Sequence, residues 1–211
     1  MIRCTLLLVA LCATARPALA QDSDLLEDMD RAVRRYDAPP GEASAPRFRA
    51  SDIYDHPVSL SDYRSTNVVL TFLSPRCYKE AVAWVQGVQT SFLGEKDVAF
   101  VNVLFPGSMP AFSSRGQNQR KIREKIEDFY VQVRDHMPAT EKRRLESTEI
   151  RWIVDWRQQL HQRYDVEADK VHIFLIDSGG KVCERIDRRS PESEKRLVDA
   201  MTQMRGARRP E

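Results

Sequence analysis

The sequence predicts an α/β domain in which helices flank a mixed central sheet. Three observations predict it. Three unbroken apolar runs rich in β-branched and aromatic residues, 66–73, 97–105 and 171–177, read as strands buried on both faces. Helical periodicity fills the spans between them. A tight turn at Ser178-Gly179-Gly180 joins the last run to a further strand over 181–186. Strands alternating with helices, followed by a hairpin and a final helix, make an α/β fold with a mixed sheet.

The first twenty residues read as a leader rather than as fold. Arg3 gives a positive start, residues 5–13 a short apolar run, and Ala18-Leu19-Ala20 a small-residue cleavage signal before Gln21. That run is too short to span a bilayer, and Arg16 and Pro17 interrupt it. Leu11 ahead of Cys12 does not fit a lipoprotein signal, and no Asn-x-Ser/Thr sequon occurs. The expected location is therefore periplasmic or secreted, with no membrane span once the leader is gone. Loss of Arg3 and Arg16 leaves equal numbers of basic and acidic residues, so charge gives no case for nucleic-acid binding. Loss of Cys4 and Cys12 leaves Cys77 and Cys183 in an oxidising compartment: one disulfide or a reactive pair, but no disulfide framework.

Residues 22–36 read as an amphipathic helix with Leu25, Leu26, Met29, Val33 and Tyr36 on one face. The Pro-, Gly- and Ala-rich stretch 37–47 reads as a linker. The domain itself is expected over 41–204, with a frayed basic tail over 205–211 that includes Arg205, Arg208 and Arg209. Residues 80–93 show a stripe of Ala81, Trp84, Val85, Val88 and Phe92, and residues 117–137 one of Ile122, Ile126, Phe129, Tyr130 and Val133. A short strand over 149–154 and a short helix over 156–164 follow. Ser190 caps a last helix that has Pro191 at its first position and Leu197, Val198, Met201 and Met204 inward. Residues 107–116 read as an exposed loop and 138–145 as a turn. The helical insertion over 107–145 and the N-terminal helix are thus candidate surfaces for a protein partner.

In an open α/β sheet, catalytic groups gather at the carboxyl ends of the strands. Cys77 falls there, between the strand ending at Leu73 and the helix over 80–93. The positive end of a helix favours a thiolate, and Arg76 would add to that. A cysteine that only fills space is the alternative. No metal-ligand spacing stands out. His56, His136 and His161 read as surface residues, and His172, on the third buried run, reads as lying near the Cys77 loop. Trp84, Trp152 and Trp156 read as core or near-core, the last two under the insertion.

The order of these segments resembles the thioredoxin-like superfamily, in its peroxiredoxin and redoxin branch. Ala45-Pro46-Arg47-Phe48 resembles the branch's opening, and Val58-Ser59-Leu60-Ser61-Asp62-Tyr63 its first hairpin. Ser74-Pro75-Arg76-Cys77-Tyr78-Lys79-Glu80 resembles its Ser/Thr-x-x-Cys-x-x-Glu pattern, and Phe174-Leu175-Ile176-Asp177 followed by Gly180-Lys181 its late hairpin. Leu197-Val198-Asp199-Ala200-Met201 is also similar to an uncharacterised family of extracellular peroxiredoxin-like domains. The resemblance implies a three-layer thioredoxin-like fold without a cofactor. It implies a nucleophilic, peroxidatic-type Cys77 that attacks a peroxide or a protein disulfide. Ser74 would be the hydroxyl partner or a plain helix cap, and Glu80 the branch's glutamate or a plain first-turn acid.

The sequence also departs from the branch. Leu70 stands where a shielding proline is usual, Val171 where an arginine or a cis-proline would be, and Glu80 where a second Cys-x-x-Cys cysteine would be. Arg76 or Lys170 would have to supply the missing charge. Cys183 is the remaining resolving thiol, on a hairpin arm expected to point away from Cys77, or else a structural strand residue. A redox-inactive binding or scaffolding domain is the second reading of these departures.

Overall fold

The computed structural model describes residues 43–107, 114–188 and 190–206. The expected leader, the expected helix over 22–36, and Arg208 and Arg209 lie outside them. Chain order begins with a two-stranded antiparallel ribbon, β1 (Arg49–Ser51) and β2 (Pro57–Ser59). A 3-10 turn (Leu60–Tyr63) follows, closed by a reciprocal cap between Ser59 and Asp62. Then come β3 (Asn67–Leu73), α1 (Tyr78–Ser91), β4 (Val98–Leu104), α2 (Arg115–Asp135), α3 (Ala139–Ser147), β5 (Glu149–Val154) and α4 (Gln159–Arg163). The chain closes with β6 (His172–Ile176), β7 (Val182–Ile186) and α5 (Pro191–Gly206).

The main sheet has the order β5-β4-β3-β6-β7. β3, β4 and β5 run parallel, and β6 and β7 are antiparallel additions. β3 is buried along its whole length, as its unbroken apolar run requires. Side chains alternate between the two faces of the sheet and build two cores. Phe48, Tyr63, Phe72, Tyr164 and Phe174 fill one. Trp84, Val88, Ile173, Leu197 and Met201 fill the other, beneath α1 and α5. The result is three layers with a mixed central sheet, as the sequence predicts.

Four local expectations are corrected. Residues 138–145 are not a turn: α3 runs from Ala139, directly after Pro138, whose fixed φ suits a helix start. The short helix starts late because Gln158 takes left-handed backbone, φ 56°, which only α4 can follow. Arg205 is not frayed: it lies in the last turn of α5 with its guanidinium bonded to Glu95 and within 3.4 Å of Asp97, tying the helix to the loop before β4. His161 is not a surface residue but 2% exposed. The insertion meets β5, where the Trp152 indole donates to the Tyr130 hydroxyl (3.2 Å), and the turn between β1 and β2, where Gln119 donates to Asp55 (2.8 Å).

Candidate active site around Cys77

β3 ends at Leu73, and Ser74 and Pro75 turn the chain into a 3-10 step, Pro75–Cys77. Pro75 cannot donate to the sheet, so the strand stops there. Cys77 is then the N-cap residue of α1. Its side chain is 7% exposed and joins the core that holds Trp84, Leu73 and Val171. Three contacts converge on its Sγ, all from Ser74. The Ser74 N–H donates to Sγ (3.2 Å), the Ser74 hydroxyl lies 3.6 Å away, and the thiol donates to the Ser74 carbonyl (3.4 Å). The thiol is thus served by a donor and an acceptor at once.

Of the predicted site residues, the fold brings Ser74 and Cys77 into contact. Arg76 is exposed beside them, and Glu80 is half-buried in the first turn of α1. The Lys170 ammonium donates to Glu167 (2.6 Å), and that carboxylate holds its pKa above the usual lysine value. Cys183 lies far away. Val68 pairs with Ile176, and Ile176 with Val182, so Cys183 is level with the start of β3 while Cys77 follows its end. Five residues of strand separate the two levels, about 17 Å, where a disulfide needs its Cα atoms within about 7 Å. Both thiols are free, and burial pushes the Cys183 thiol up.

His172 is also corrected. It pairs with Phe72 across the sheet and shares that residue's face, whereas Cys77 lies on the Val171 and Ile173 face. Its Nε2 accepts from the Glu167 N–H (3.0 Å), so Nδ1 carries the proton and donates to Asp187 (2.7 Å). That bond, with Arg185 beside it, holds the Asp187 carboxyl down at about 2. A second pair went unread in the sequence. The buried Asp155, at the end of β5, accepts from the N–H groups of Leu160 and His161 and lies 2.9 Å from His161 Nδ1. Phe72 and Phe105 close over that imidazole edge-on. Only the six-residue spacing of Asp155 and His161 hinted at it.

The comparisons bear on the fold. No sequence-family model and no characterised protein sequence matches the chain. Among solved structures, it is similar to a protein assigned as the thiol:disulfide interchange protein DsbE of Chlorobium tepidum, with 20% identity and a TM-score of 0.52 over 76% of this chain and 94% of that one. It is also similar to a protein assigned as a disulfide isomerase of Bacteroides thetaiotaomicron, with 16% identity and a TM-score of 0.53 over 79% and 90%. The fold is thioredoxin-like. In this thioredoxin-like chain, Cys77 holds the strand-to-helix corner, Glu80 stands three residues on, and Val171 packs in the same core as Cys77 just ahead of β6. No helix among the described residues is long and apolar enough to cross a membrane.

Proposed function

We propose that the chain is an exported, thiol-dependent redox protein in which Cys77 attacks a peroxide or a disulfide. The observation that carries this reading is the donor set on Sγ, a backbone N–H and a hydroxyl from Ser74 at the head of a fourteen-residue helix. With a peroxide, the thiolate forms an S–O bond as the O–O bond breaks. The leaving oxygen takes a proton, and Cys77 becomes a sulfenic acid. With a disulfide, an S–S bond forms to one sulfur while the other leaves as thiolate. External thiols supply the reduction, because Cys183 lies at the other end of the sheet: one condenses with the sulfenic acid to a mixed disulfide and water, and a second attacks that disulfide to release the Cys77 thiol. The names of the similar structures favour a protein thiol or disulfide as partner. The leader over residues 1–20 carries the export reading. Ser74 orients the thiol, and Arg76, exposed and one residue before it in the chain, is the candidate charge stabiliser.

A second reading rests on the burial of Cys77 in the core that also holds Trp84 and Val171. A thiol so enclosed fits a domain that kept the fold for binding and lost the chemistry. Adding one equivalent of hydrogen peroxide to the reduced protein separates the two, with intact mass followed over time in the parent, Cys77→Ser and Cys183→Ser. Oxidation that vanishes only in Cys77→Ser supports the redox reading. An unreactive Cys77 at neutral pH would sink it in favour of binding.

A further inference from the structure

A cleft of about 730 Å³ opens at the pole of the sheet opposite Cys77. Val68, at the start of β3, and the turn after β6 form its base. Four arginines line it: Arg47, Arg49, Arg64 and Arg163. The one acid on its wall, Asp177, is already engaged, its Oδ1 accepting from the N–H groups of Gly179 and Lys181. Asp62, close by, accepts from the Ser59 N–H. Arg163 spends one donor on the Arg47 carbonyl (2.6 Å). The cleft therefore holds a surplus of guanidinium groups, and the side chains of Arg47, Arg49 and Arg64 are exposed. Such forks suit carboxylates.

The chain carries a matching segment. Residues 21–30 hold Asp22, Asp24, Glu27, Asp28 and Asp30 and no lysine or arginine. They precede the point at which the described chain enters the cleft: Ser44 lies on its wall, and the Ala45 N–H bonds the Gly180 carbonyl (2.8 Å). The thirteen residues 31–43 between them reach up to about 43 Å when extended, ample to fold back. Tethering keeps the acidic stretch at an effective concentration on the order of millimolar.

We infer that the acidic stretch 21–30 docks in this arginine-lined cleft in cis. The docked segment covers the pole away from Cys77 and leaves the thiol end open to a substrate. The inference is independent of any chemistry at Cys77, and it needs no particular secondary structure in the segment.

The test uses the chain from Gln21 onward carrying Arg64→Lys, which keeps the charge and gives a zero-length carbodiimide an amine to join to a carboxylate. Peptide mapping of the monomer should find the introduced lysine joined to acids 22–30 at least fivefold more often than Lys121 or Lys195, which are elsewhere on the domain. Those links should disappear in about 1 M salt, where the screening length shrinks to about 3 Å. They should also disappear when Arg47→Glu and Arg49→Glu are added, with circular dichroism reporting on the fold. Links no more frequent than at Lys121 and Lys195, links confined to dimers, or links that resist salt would each overturn the inference.

Discussion

Ser74 makes every polar contact described for the Cys77 sulfur, yet one part of it can be removed cleanly. Ser74→Ala deletes the hydroxyl at 3.6 Å and keeps the N–H at 3.2 Å. A hydrogen bond of about 1 kcal/mol then predicts oxidation of Cys77 slowed roughly threefold to tenfold. Peroxide titration followed by mass spectrometry checks this; an unchanged rate would reduce the hydroxyl to a spectator. Asp187 gives a pH test. Its carboxyl is held at about 2, first by the His172 bond and then by Arg185. Between about pH 4, its ordinary value, and pH 2 the folded chain binds fewer protons than the unfolded chain. The stabilisation is present above that window and is lost as pH falls through it. Melting temperature should therefore drop more steeply from pH 4 to 2 in the parent than in Asp187→Asn. Cys77 was legible because an apolar run ends at Leu73 and helical periodicity starts a few residues later. His161 was not. Local sequence leaves it on a short polar helix, and it is the convergence of Phe72 on β3 with Phe105 and Asp155, just past the ends of β4 and β5, that buries it.

Elements with one strong local signal were read to within a residue or two. β5 matches its predicted span, and α5 begins at Pro191 with Ser190 and Ser193 capping each other. α3 was hidden because no residue of it is buried, so it offers no apolar stripe to read. It is placed by the turn after α1. There the Gly94 N–H bonds Thr148 (2.8 Å), and Gly94 sits at φ 79° with Arg144 Cγ 3.0 Å from where a Cβ would stand. Gly94→Ala meets both the left-handed backbone and that contact. It should cost about 1–2 kcal/mol in urea unfolding. A neutral result would contradict both the backbone strain and the contact with α3. Arg205 teaches the same lesson as α3: its partners Glu95 and Asp97 are more than a hundred residues away, out of reach of any local rule.

The whole molecule was the most legible level, because three apolar runs, a glycine turn and the order of helices admit few arrangements. What the sequence left open is how the two ends of the sheet differ. One end holds Cys77 at the head of α1, in the same core as Trp84 and Val171. The other holds an arginine-lined cleft beside the point where the chain enters. The late cysteine, Cys183, belongs to that second end by strand register, so the first end holds Cys77 without it. The most direct measurement is the second-order rate of Cys77 oxidation by hydrogen peroxide in Cys183→Ser, by stopped flow, against free cysteine at the same pH. A thiol activated by the helix and Ser74 should react at least about tenfold faster than the free amino acid. A rate equal to or below that of free cysteine would contradict the account and leave Cys77 as packing.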